Sequence, residues 1–140
     1  MSTTSGLTDA LRAEHAAIFA YGTLGARLDG ATVAVAEVAE AAHRARRDAL
    51  ILRLNALQAS APPAEPAYAL PAPVADRAAA LQLMITVEER CAAIWRQALP
   101  TVTGDDRRLA VDALVDCAVR ATKARTLAGV KPATVPFPGR

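Results

Sequence analysis

Proline sets the frame. Five of the nine prolines fall between Pro62 and Pro73, and the others are Pro100, Pro132, Pro136 and Pro138. Proline removes a backbone donor and clashes with the preceding turn, so no helix runs through the 62–73 segment. On either side lie long proline-free stretches rich in alanine, which makes up a quarter of the chain and has the highest intrinsic helix propensity. No stretch alternates apolar and polar residues for long enough to suggest a strand. An all-α chain follows.

Four helices are expected. The first runs from about Thr8 to Asp29, with Thr8 or Ser5 as cap and residues 1–6 as an N-terminal arm. Asp29-Gly30 marks a tight turn. The second covers about Thr32 to Gln58, the third about Val74 to Leu99 before Pro100. The fourth is capped by Thr103, Asp105 or Asp106 and ends near Ala128, where Gly129 and Pro132 follow. An extended tail, 129–140, closes a single domain spanning 1–140. The short first and third connections imply antiparallel hairpins. The middle one, about fourteen residues at about 3.1 Å each, reaches roughly 40 Å. That matches the length of helix 2 and permits a long Pro-rich crossover between helices 2 and 3, the feature that separates ferritin-like bundles from up-down ones.

Composition narrows function. The formal net charge is +2, with basic and acidic side chains interleaved and few aromatics, so neither a nucleic-acid surface nor a stacking platform is expected. No secretory signal or membrane span is read, which points to the cytoplasm. Cys91 and Cys117 are expected as buried reduced thiols without a disulfide.

The inward stripes carry the chemistry. Helix 1 reads Leu7, Leu11, Glu14, Ile18, Tyr21, Gly25 and Leu28. Helix 2 reads Val33, Ala36, Glu40, His43, Arg47, Leu50 and Leu54. Helix 3 reads Arg77, Leu81, Met84, Glu88, Cys91 and Trp95. Helix 4 allows two phases, one with Asp116 and Arg120 inward, the other with Leu114, Cys117, Ala121 and Ala124. Glu14, Glu40, His43 and Glu88 thus fall mid-helix in the seam, where carboxylates need a cation. Di-metal bundles take one Glu from each of two helices and Glu-x-x-His from each of the other two, because residues three apart converge on one ion. Helix 4 lacks that pair: Asp116 is its candidate ligand, and Val119 stands where His would be. Arg47 lies nearly level with Glu14, and Arg120 a turn from Asp116, so a buried salt-bridge network through Arg47 and Arg120 is the rival to a bound ion. His15 reads as a half-exposed structural residue at the edge of the seam, Tyr21 as core packing, and Trp95 as a core or dimer-interface anchor.

The segments AEHAAIFAYG, AAHRARRDAL, PPAEPAYALP, VEERCAAIW and PATVPFPG resemble an alanine-rich, ferritin-like domain family of actinobacteria with no established activity. The resemblance implies a ferritin-like four-helix bundle and a homodimer. It allows metal-ligand roles to be carried onto Glu14, Glu40, His43 and Glu88. The resulting expectation is a protein of binding or assembly with a degenerate carboxylate–histidine site, holding at most a single Fe, Mn or Zn ion. Two alternatives stand beside it. One is a di-metal oxidase or oxygenase completed by Asp116. The other is a metal-free interaction module using the tail and the Pro-rich segment.

Overall fold

The computed structural model describes residues 1–140. Helix α1 spans Thr3–Leu24, α2 Gly30–Ala56, α3 Arg77–Ala98 and α4 Gly104–Ala128, with single 3-10 turns at Gly25–Arg27 and Leu99–Thr101 and no strand. The protein is a four-helix bundle.

Local chemistry sets the boundaries. α1 starts earlier than the sequence suggests, so residues 3–6 are helix and not an arm. Ser2 Oγ accepts from the Ser5 amide, and Ser5 Oγ accepts from the Ser2 amide at 2.8 Å. This reciprocal cap uses Ser in the place usually held by Glu, which hides it from a motif reading. Gly6 lies in the first turn because a Cβ there would come within 2.8 Å of Thr101 Oγ1 and 3.4 Å of Ala98. α3 waits for Asp76, whose side chain accepts from the Ala79 amide at 2.8 Å. Gly129, at φ +72°, ends α4 in the left-handed conformation open to glycine.

Side-chain pairs fix the directions. Gly6 near the start of α1 faces Ala98 at the end of α3 and Thr101 in the turn after it, and Tyr21 near the end of α1 meets Glu88 further back along α3. Those helices are antiparallel. α2 and α4 are also antiparallel, since Arg46 pairs with Asp116 and Arg53 with Asp106. The Pro-rich segment lies against α1: Pro62 O meets His15 Nε2 at 3.0 Å, Tyr68 packs on Phe19, and Val74 O accepts from Arg27. The core is built from leucine and alanine around Trp95, Met84 and Tyr21. Across its middle run buried charges. No helix is long and apolar enough to cross a membrane. Both cysteines are free and buried.

Candidate functional site

The middle of the bundle is polar because each of three helices turns a charged side chain inward among leucines and alanines. His43 of α2 is fully buried at the centre. Its Nδ1 donates to Glu14 Oε2 of α1 at 2.5 Å and its Nε2 to Glu88 Oε1 of α3 at 2.9 Å. An imidazole that donates from both nitrogens is an imidazolium. Glu14 Oε1 accepts from Trp95 Nε1 at 2.8 Å and from Arg46 Nη1 at 3.2 Å. Tyr21 donates to Glu88 Oε1 at 2.5 Å. Arg46 continues outward: Nη1 lies 3.6 Å from Cys117 Sγ, and Nη2 donates at 2.5 Å to Asp116 Oδ2, which also accepts from Arg120 Nε at 3.0 Å.

The electrostatics are those of a closed ion network. Burial works most strongly to lower the His43 pKa, yet the hydrogen bonds and charges of Glu14 and Glu88 outweigh it and push the ring up to about 10. Burial works to raise Glu14, and the hydrogen bond and charge of His43, with Arg46 and Trp95, pull it below the usual carboxylate range. Asp116 is held down in the same way, against burial, by Arg120 and Arg46. Tyr21 is pushed up by burial and by Glu88, so it stays a donor. Cys91 is pushed up by a hydrogen bond with Cys117 and by burial, which makes it a poor nucleophile. The carboxylates of Glu14 and Glu88 are matched by His43 and Arg46, and Asp116 is matched by Arg120. The network is neutral. One atom stands apart: Glu88 Oε2 is buried without a hydrogen-bond partner.

Glu14, His43 and Glu88 therefore meet as the stripes predict. Glu40 does not join them. It lies at the flank of α2, a quarter exposed, where it accepts from Arg44 at 3.0 Å. Arg47 also turns aside, bonding Asp48 at 2.8 Å; the buried arginine of α2 is Arg46. The reason is helical phase. Ala36, His43 and Leu50 belong to two possible seams, one adding Glu40 and Arg47, the other Ala39 and Arg46. The bundle buries Ala39 and Arg46. Ala39 was the available signal, being a smaller and less costly residue to bury than Glu40. Asp116 sits at the rim between Arg46 and Arg120, and Arg120 reaches only Asp116. On α4 the buried set is Asp106, Ala110, Ala113, Cys117, Ala121, Ala124 and Arg125, close to the second of the two phases. Sequence reasoning missed Arg46 and the hydrogen bonds from Tyr21 and Trp95, which it assigned to packing.

A metal can be tested against these donors. Ligand atoms of Glu14, His43 and Cys91 lie within 4.8 Å of one another, and the unpartnered Glu88 Oε2 would welcome a cation. Against this, both His43 nitrogens are engaged by carboxylates, a guanidinium already occupies the open side of Glu14, and α4 brings no carboxylate to the centre. With the buried charges already cancelled, a di-metal centre does not fit.

Beside the seam, a groove of about 520 Å³ opens between α1, α3 and the Pro-rich segment. Ala13, Ala17, Ala20, Tyr68, Leu83 and Val87 are among the residues that line it.

The model of a domain of unknown function (DUF4439) matches residues 6–140. A crystal structure of a conserved hypothetical protein, rv2844, from Mycobacterium tuberculosis is 36% identical, with a TM-score of 0.87 over 89% of this chain and 96% of that one. No curated protein matches the chain.

Proposed function

The chain belongs to the DUF4439 family of unknown function, and from that premise we propose that it is a ferritin-like bundle that works by binding and assembly, not by redox turnover. In this reading the segment around Pro62–Pro73 is the crossover that lets α2 and α3 run parallel; its contacts with His15, Phe19 and Arg27 along α1 support that path. The observation that carries the functional half is the doubly engaged His43. A proton on its ring and the guanidinium of Arg46 neutralise the carboxylates that metal ions neutralise in di-metal bundles. A neutral, nearly saturated core leaves no open position for a substrate or dioxygen. What remains for function is the surface: the apolar groove, and exposed Val38 and Leu52 on α2. A homodimer is the simplest assembly that would cover such residues.

Metal analysis of protein purified without chelators tests the reading, together with oxygen uptake after addition of ferrous iron. Iron, manganese and zinc well below one atom per chain, and no uptake, are expected. One ion per chain that survives dialysis and disappears in Glu14→Gln would replace the reading with a mononuclear site. Oxygen uptake abolished by Asp116→Ala would replace it with an oxidase.

A further inference from the structure

α2 has two apolar faces, and only one is buried. On the outer side Val38, Ala41, Ala45, Ala49, Leu52 and Ala56 are all exposed, Val38 by 61% and Leu52 by 71%. Their spacing repeats every eleven residues, from Val38 to Ala49, from Ala41 to Leu52 and from Ala45 to Ala56. Eleven residues in three turns is 3.67 per turn, so the row stays on one face of a nearly straight helix and does not drift round it. Leu52 is a large aliphatic side chain held in water, and alanines on either side would let another helix approach closely. Such a row, about 27 Å long at about 1.5 Å per residue from Val38 to Ala56, is an unpartnered seam.

The charges beside the row say what fits it. Arg44 and Asp48 lie on one rim, and both are exposed, with side-chain exposures of 52% and 62%. A two-fold axis perpendicular to α2 and level with Arg46 places a second copy antiparallel, with the same rim of both helices on the same side. Residues equally far from Arg46 in opposite directions then meet. Arg44 of each copy faces Asp48 of the other, and Glu37 faces Asn55. The same register sets Val38 of one copy between Leu52 and Ala56 of the second, and the alanines at the centre against each other. The present partners of these charges are local and weak: Arg44 bonds Glu40 four residues back, and Asp48 bonds its neighbour Arg47. Both are free to exchange.

We propose that the outer face of α2 is a homodimer interface, a second copy of this chain packing antiparallel about a two-fold axis at Arg46, with reciprocal Arg44–Asp48 pairs at the rim. This rests on the assembly reading above and names its surface. A contact along one helix is at the small end of stable interfaces, so the dimer should dissociate on dilution.

Sedimentation velocity across a concentration series tests it on the full chain. Wild type should shift from monomer to dimer, and Leu52→Glu should remain monomer throughout. Arg44→Glu brings like charges together twice and should weaken the dimer by about tenfold or more, whereas Arg44→Glu with Asp48→Arg should return it to near the wild-type constant. Val115→Glu, on the exposed face of α4, should change nothing. Circular dichroism guards against misfolding, and Val38→Glu replaces Leu52→Glu if that variant loses helix. A wild-type chain that stays monomeric at every concentration overturns the assembly reading itself. A dimer that survives both Leu52→Glu and the single charge reversal, or one broken by Val115→Glu, overturns the interface and leaves the assembly reading standing.

Discussion

The protonated state of His43 makes stability depend on pH in a range where few proteins change. The ring's pKa is about 10 in the folded protein and 6.5 in its ordinary state. A folded pKa raised above the unfolded one gives stability that is fully present below pH 6.5 and lost as pH rises through 10. Between those limits the folded state holds one more proton, so unfolding free energy should fall by about 1.4 kcal/mol per pH unit. Tyr21 and Cys91 are also raised, and their contributions are lost only at higher pH, above their ordinary values of 10.0 and 9.0. The range from about pH 7 to 8.5 therefore isolates His43, and the expected loss across it is about 2 kcal/mol. Urea unfolding followed by the fluorescence of Trp95, the only tryptophan, measures it directly. The His43 ring resonances, observed by NMR on the folded protein, should keep imidazolium shifts at pH 8. Flat stability from pH 7 to 8.5, or a neutral ring at pH 8, would refute the ion network and with it the idea that a proton replaces a metal here.

Other residues give sharper local tests. Arg46→Met strands Glu14 and weakens the hold on Asp116, and should cost about 3–5 kcal/mol in urea unfolding, while Arg47→Met, one position along, should stay within about 0.5 kcal/mol. Trp95→Phe keeps most of the packing but removes the indole donor to Glu14, a hydrogen bond to a charged group, and should cost about 1.5–3 kcal/mol. Gly6→Ala gains helix propensity but drives a methyl group against Thr101 Oγ1; a net loss of about 1 kcal/mol is expected, read as a lowered Tm.

Much of the architecture was legible in the chain because its causes are local. Pro62 to Pro73, Pro100 and Pro132 stop helices by stereochemistry, and alanine fills the stretches between them, so four helices and no strand were readable without any tertiary contact. The ends were less so. Ser2 caps α1 through Ser5 instead of a glutamate, and Asp76 delays α3 by three residues beyond Val74. Glu14, His43 and Glu88 were readable as a group because each breaks an apolar stripe at mid-helix, where something must neutralise it.

Which cation does so was not readable. Arg46 and Arg47 are adjacent in sequence, equally basic, and 100° apart round the helix, and an α-helix with two partially overlapping apolar rows can rotate either inward. Only the packing of α2 against α1 and across to α4 chose Ala39 over Glu40, and so carried Arg46 to Glu14 and Asp116 while leaving Arg47 at the flank. The sequence by itself determined that this bundle would have charges in its seam, since the residue types at those positions admit no other reading. The tertiary structure decided that they cancel one another, because the phase of one helix sets which side chains converge.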